Sequence, residues 1–135
     1  DIIVGFPGES NNDFNETYKF INKLDIDYLH VFPYSERNNT RATLFNDVVT
    51  LEIRNKRSKM LRILSEKKKR KFYENNLNSV KKVLFEKGKN KNYLYGFSEN
   101  YVKVKIPYDG NLIGKIKSTL LSEINSDLSV KGKVI

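Results

Sequence analysis

The chain has 135 residues, of which 39% are hydrophobic and 30% charged, with a formal net charge of +9. No apolar run approaches the roughly 18 residues that a membrane span requires, so no membrane partner is expected, and a cytoplasmic setting is the default. Cysteine is absent, which excludes disulfides and thiolate-held metal within these residues.

The charge is unevenly placed. Residues 1–46 carry four Lys/Arg against seven Asp/Glu, residues 47–76 ten against four, and residues 77–135 eleven against five. The basic remainder points to a polyanion partner. The many Asn beside the Lys also fit an AT-rich coding bias, so charge alone assigns nothing.

Ile2, Ile3, Val4 and Phe6 run into Gly5, Pro7 and Gly8, which reads as a buried parallel strand ending in a glycine-rich turn. The chain starts at Asp1 and its one methionine is Met60. No earlier strand is present as a neighbour, so the motif is expected to belong to a larger protein. Ser10 is a helix N-cap with Asp13 completing a capping box. Phe14, Thr17, Tyr18, Ile21 and Leu24 follow at helical spacing. Tyr28 to Phe32 is a second strand, which makes a βαβ unit with parallel strands and a right-handed crossover. Two such strands cannot build a cored sheet, and slow amide exchange is not expected over residues 1–33.

Residues 36–46 are loop-like, and a long helix runs from about Val48 to Asn76. Met60, Leu61 and Leu64 cluster on one side of it, with Phe72 two turns on. Lys67, Lys68, Lys69, Arg70 and Lys71 form an unbroken cationic run. Five adjacent charges repel one another; the run is either a solvated helix face or a stripe for RNA phosphates. From Val80 the pattern alternates. Val83 and Phe85 form one face against Lys82, Leu84 and Glu86. Tyr93–Phe97 is a short aromatic strand, and Val102, Val104 and Ile106 alternate with Lys103 and Lys105. Pro107 to Gly110 is a turn. Ile116–Ile124 and Leu128–Val134 supply two more strands. About five antiparallel strands suit a small OB-like barrel.

The blocks DIIVGFPGES and YLHVFPYSERNNTRA, followed by EIRNKRSKMLRILSEKKKRKFYE and GFSENYVKVKI, closely resemble the C-terminal part of radical SAM tRNA methylthiotransferases. Their pattern is D-x-I-V-G-F-P-G-E-T and later H-V-F-P-Y/F-S-x-R-x-G-T-x-A. The branch acting on threonylcarbamoyladenosine at tRNA position 37 is the most similar. The resemblance implies an α+β segment in three parts. Residues 1–46 would close a partial (β/α) radical SAM barrel, 47–76 would be a basic connecting helix, and 77–135 a TRAM-like RNA-binding β-barrel.

It also implies partners and cofactors. S-adenosylmethionine would lie against Ile3, Gly5 and Phe6, with Pro7, Gly8 and Glu9 shaping the turn. Phe32, Tyr34 and Ser35 would flank the same nucleoside, and Arg37 would sit in the following loop. Where the family loop has glycine this chain has Asn39, a residue that tolerates left-handed backbone. By themselves Gly5, Pro7 and Gly8 read equally as turn punctuation, and Arg37 as a salt-bridge partner. The family's two [4Fe–4S] clusters need cysteines that would lie on a missing N-terminal part. These residues alone are therefore expected to hold no cluster and to be inactive.

No catalytic or metal-ligating residue is assigned. His30 is the only histidine and reads as structural or pocket-lining. Glu9, Asp25, Asp27 and Glu36 read as solvated turn charges. In the terminal domain, Tyr93, Tyr95, Tyr101 and Tyr108, interleaved with Lys91, Lys103 and Lys105, suit stacking on the splayed bases of an anticodon loop. Phe97 is expected in the barrel core. Two rivals stand: a stand-alone RNA-binding module carrying a decayed enzyme remnant, and a sister methylthiotransferase acting on isopentenyladenosine or on a ribosomal protein.

Overall fold

A computed structural model describes residues 1–135. The chain divides into two compact units, Asp1–Lys69 and Arg70–Ile135. No helix is long and apolar enough to cross a membrane.

In the first unit, strand β1 (Ile2–Val4) pairs in parallel with β2 (Val31–Pro33), and helix α1 (Asn11–Lys23) connects them. The expected capping box is present: the Asp13 amide donates to the Ser10 hydroxyl, and the Ser10 amide to the Asp13 carboxylate. These two bonds satisfy donors that the first helical turn leaves orphaned. The Ser10 hydroxyl, which donates to the Asp13 carboxylate at 2.7 Å, and then the Ser10 amide hold that carboxyl below the usual carboxylate range.

The second strand is shorter than the sequence suggests. Its anticipated start departs from the ladder because the Leu29 amide and carbonyl both bond the Ser65 hydroxyl. Helix α2 spans Leu51–Asn76. It starts later than Val48 because Thr50 caps it: the Ile53 amide donates to the Thr50 hydroxyl and the Arg54 amide to the Thr50 carbonyl.

The two-stranded sheet does have a core. Val4 and Val31 are buried with Phe14 and Ile21 of α1 and with Leu61 and Leu64 of α2. The expectation that two strands cannot support one fails because the middle turns of α2, through Leu61 and Leu64, cover the sheet, a job the cationic look of the helix conceals. Met60 faces outward instead of joining Leu61. The opposite face of the sheet is open, with Ile3 58% and Phe32 52% exposed.

The second unit is a closed barrel in the order β3-β4-β5-β7-β6, from β3 (Val80–Glu86), β4 (Tyr93–Ser98), β5 (Lys103–Pro107), β6 (Ile116–Ile124) and β7 (Val130–Val134). This is compatible with an OB-like barrel. One feature corrects the all-antiparallel expectation: β5 and β7 run parallel, with Val104 opposite Val130 and Lys105 opposite Lys131. The connection through β6 forces this, because β6 pairs antiparallel to both β3 and β7.

Val83, Phe85, Leu94, Val102, Val104, Ile106, Leu121 and Val130 fill the barrel with Tyr73 from the last turns of α2. The Tyr73 hydroxyl accepts from the Lys103 amide at 3.1 Å, and burial pushes its phenol pKa up. Gly96 and Gly132 sit where the wall is tightest. A Cβ on either would overlap Val83 and Phe85, or Val104 and Thr119.

Candidate functional sites

The first unit carries an open groove of about 470 Å³. Ile3, Phe32, Pro33, Tyr34, Ser35, Arg37, Thr40 and Ala42 line it. Five of the residues assigned from sequence to the cofactor wall (Ile3, Phe32, Tyr34, Ser35 and Arg37) therefore come together. The loop beyond them keeps its shape without the family glycine, because Asn39 adopts φ +63°. The Thr40 hydroxyl ties that loop to the Arg37 carbonyl at 2.7 Å. Tyr34 buries its hydroxyl with no partner, a state that costs about 1–3 kcal/mol until something satisfies it.

The other assigned residues do not line this groove. Gly5 is buried at φ +76°, and its amide donates to the Glu9 carboxylate at 2.9 Å. A Cβ at Gly5 would overlap Cγ of Arg54. Phe6 packs edge-on against Tyr34 and Phe45 at 5.3 and 6.1 Å between centroids. The Gly8 amide donates to the Asp47 carbonyl at 2.7 Å. Pro7 is half-buried between these two glycines.

Two arginines hold this architecture, and the sequence reading passed over both. Arg54 and Arg57 lie on the buried face of α2 with side chains 3% and 5% exposed. Arg57 donates to the Glu9 carboxylate at 2.6 Å, to the Glu9 carbonyl at 2.9 Å and to the Asn11 side chain at 3.0 Å. Arg54 forks onto Glu36 at 2.6 and 3.1 Å, and reaches the carbonyls of Tyr34 and Val49. The Arg54 hydrogen bond holds the Glu36 carboxyl below the usual range and raises the guanidinium pKa in return.

Glu9 and Glu36 are thus clamp partners: Glu9 is largely buried, which corrects its reading as a solvated charge, whereas Glu36 is paired while still half exposed. Each anchors the end of one strand to α2: Glu9 the glycine turn after β1, Glu36 the segment after β2. A signal was available in the spacing, since 54, 57, 61, 64 and 68 recur at three and four residues along one helical face. His30 is exposed and pairs through Nδ1 with Asp1 at 2.8 Å. No group of His, Asp and Glu is placed to hold a metal ion.

In the cationic run, Lys67 and Lys71 are exposed. Lys68 caps α1 by donating to the Leu24 and Asn22 carbonyls at 2.8 and 3.3 Å. Lys69 sits over the Tyr28 ring at 5.8 Å, and Arg70 pairs with Glu74.

The second unit presents an aromatic and basic face. Strand alternation sends Leu94, Gly96 and Ser98 inward and Tyr93, Tyr95 and Phe97 outward. Phe97 is 43% exposed, so its expected place in the core is wrong by one residue of register; Gly96 occupies the inward position because the barrel wall leaves no room for a ring. Lys103 pairs opposite Phe97 and Lys105 opposite Tyr95. The Lys105 ammonium lies 4.3 Å from the Tyr93 ring centre, and that of Lys103 4.9 Å from Tyr95. Tyr101 projects at φ +65° from a tight turn, which the Ser98–Asn100–Asn76 hydrogen bonds brace. Lys91 is exposed in the β3–β4 loop.

No family model matches the chain. Among curated proteins, it is 38% identical to the threonylcarbamoyladenosine tRNA methylthiotransferase of Bacillus subtilis over 120 residues, 86% of this chain and 27% of that protein. It is 33% identical to the tRNA-2-methylthio-N(6)-dimethylallyladenosine synthase of Buchnera aphidicola subsp. Cinara cedri over 138 residues, all of this chain and 31% of that protein. The ribosomal protein uS12 methylthiotransferase of Clostridium novyi is 37% identical over 103 residues, 76% of this chain and 22% of its own length. The chain is homologous to a part of the methylthiotransferases. It spans less than a third of the length of these relatives. In this methylthiotransferase segment, the groove of the first unit and the tyrosine–lysine face of the second are the two candidate sites.

Proposed function

We propose that the chain is the C-terminal portion of a radical SAM tRNA methylthiotransferase that adds a methylthio group at C2 of N6-threonylcarbamoyladenosine-37. The first unit would wall the S-adenosylmethionine pocket. The second would act as a TRAM-like module, holding tRNA in the cytoplasm with help from the exposed lysines of α2. The observation that carries this reading is the convergence of Ile3, Phe32, Tyr34, Ser35 and Arg37, which lie up to 34 residues apart in sequence, around one groove.

The groove suits a nucleoside. It is concave and largely apolar, with few polar groups, as small-molecule sites are. Ile3 and Phe32 offer an exposed apolar lining, and Ser35 and Arg37 offer donors. When bound, S-adenosylmethionine would supply the radical and methyl chemistry of the family. The residues of this chain do not fit the iron–sulfur clusters, whose thiolate ligands it cannot provide; no reaction step is assigned to it.

The exposed face of Tyr93, Tyr95 and Phe97 beside Lys103 and Lys105 supports RNA as the partner. Rings stack on unpaired bases while ammonium groups neutralise phosphates. The threonylcarbamoyl substrate rests on the HVFPYSER and GFSENYVKV stretches. The dimethylallyladenosine and uS12 relatives are similarly identical, which makes their substrates the competing readings.

The test is mass spectrometry of nucleosides and of protein uS12 from cells with and without the gene. Loss of the methylthio group from threonylcarbamoyladenosine alone is expected. Loss from dimethylallyladenosine or from uS12 would overturn the substrate assignment. No loss anywhere would favour the RNA-binding module with an enzyme remnant.

A further inference from the structure

The tyrosine–lysine face carries an anion of its own. Asp127, in the β6–β7 turn, accepts at Oδ1 from the Ser129 amide at 3.0 Å and from the Ser129 hydroxyl. Its Oδ2 lies 3.2 Å from the Lys105 ammonium and 3.2 Å from the Tyr95 hydroxyl. The carboxylate is thus locked on one side by the turn and aimed on the other at the two groups a stacked nucleotide would use. A neighbouring cation is treated alike: Lys131, opposite Lys105 in the parallel register, pairs with Glu123 at 2.8 Å. Lys103, one position along the same face, has its ammonium over Tyr95 and no carboxylate partner. Lys105 and Lys131 therefore carry carboxylate partners within the fold, and Lys103 does not.

We propose that Asp127 is a built-in counter-anion that occupies the phosphate seat of Lys105, so that single-stranded RNA is gripped through Lys103, with Tyr93, Tyr95 and Phe97 as stacking surfaces. This rests on the reading of the face as an RNA site. Asp127 is fixed in the fold and cannot diffuse away as a mobile counterion does. A phosphate approaching Lys105 meets a carboxylate already there, and the attraction of the pair to RNA nearly cancels. Each phosphate that a protein cation does neutralise adds about −0.7 to the slope of log K against log salt for single strands. Asp127 thus removes close to one such contact, and it favours strands whose backbone tracks the Lys103 side. The carboxylate is ionised throughout the neutral range, because the Ser129 and Lys105 hydrogen bonds hold its pKa far down. The effect is a fixed setting of affinity and path, not a pH switch.

The test uses the full chain and a fluorescent single-stranded RNA of about 10 nucleotides, a length within the usual site sizes of such barrels. Anisotropy titrations at several salt concentrations would compare the natural chain with Asp127→Asn, Lys105→Gln, Lys103→Gln and the Asp127→Asn/Lys105→Gln pair. Asparagine keeps an oxygen for the Ser129 amide, and amide spectra would report whether the turn survives.

Asp127→Asn should bind about three- to tenfold tighter near 50 mM salt, with a slope steeper by about 0.7. The double variant should return close to the natural value, and Lys103→Gln should weaken binding and flatten the slope. Unchanged or weaker binding by Asp127→Asn, with the natural chain binding normally, would overturn the counter-anion role alone. No binding by any form at low salt would overturn the RNA reading and this inference together. A second measurement needs no RNA: Lys105 should acetylate more slowly than Lys103 with acetic anhydride, and the gap should close in Asp127→Asn. Equal rates in the natural chain would refute the pairing.

Discussion

Replacing Arg57 by methionine should loosen the first unit and leave the second alone. Methionine keeps most of the stem that packs beside Phe14, whose ring lies 5.5 Å from the guanidinium carbon, so the loss is chiefly that of charge and hydrogen bonds. Arg57 makes three such bonds with a side chain 5% exposed, and its partner Glu9 is 15% exposed. Removing one member of a buried pair leaves the other charged and poorly solvated, a change that costs about 3–5 kcal/mol. The 15% exposure of Glu9 lets some water back, so about 3 kcal/mol is the expected figure. Residue-resolved amide exchange is the right assay, because a single unfolding midpoint would mix two units. The opening free energies at Val4 and Tyr34 should fall by that amount, and those at Val104 and Leu121 should not. The pair Arg57→Met/Glu9→Gln should lose less than Arg57→Met alone, since the stranded charge is gone. A fall below about 1 kcal/mol, the scale of an exposed pair, would refute the argument that this clamp is a buried one.

The two faces of the β1–β2 sheet should respond oppositely to truncation. Leu61→Ala should cost about 2–5 kcal/mol by leaving a cavity under the sheet, whereas Ile3→Ser and Phe32→Ser should stay within about 0.5 kcal/mol of the parent; denaturant unfolding followed at first-unit amides would decide, and a large loss at Phe32 would mean that the open face is packed. Gly5→Ala should destabilise the first unit by more than the roughly 1–2 kcal/mol of a left-handed alanine, because the added methyl also displaces Arg54; rescue by Arg54→Ala in the double variant would identify the overlap as the cause. Lowering the pH should leave Asp127 ionised after ordinary aspartates have titrated. Its folded pKa lies below the unfolded 3.8, so its contribution is fully present above that value and is lost as pH falls below it. Carboxyl carbon shifts of Asp127 that titrate near 4 would contradict the hydrogen-bond network drawn around it.

Much of the second unit was legible because alternation survives in it. Val102, Val104 and Ile106 fall inside and Lys103 and Lys105 outside, as a period of two requires. The failure at Phe97 shows the limit of that signal: Tyr93, Tyr95 and Phe97 share one parity, and only the barrel's tightness at Gly96 decides that this parity is the outer one. The parallel β5–β7 pair was not legible, because nothing local distinguishes a strand that returns beside its neighbour from one that crosses the barrel end.

The first unit was less legible for a different reason. Its long helix buries Arg54 and Arg57 on the face that continues as Leu61 and Leu64, so hydrophobic periodicity fades where the helix packs most closely. Charges on a buried stripe are read as solvent-facing unless their partners are known, and here the partners are Glu9 and Glu36, 48 and 18 residues away. The same two glutamates terminate the segments that bring Ile3, Phe32 and Tyr34 to the groove. The groove's shape therefore depends on a pair of ion pairs that themselves never reach it. Arg54→Lys would keep the charge but lose the two-pronged hold on Glu36. Tyr34, whose carbonyl also takes a bond from Arg54, should then shift its ring resonances while Tyr93 and Tyr95 keep theirs. Unmoved Tyr34 signals would show that β2 holds the groove wall without help from α2.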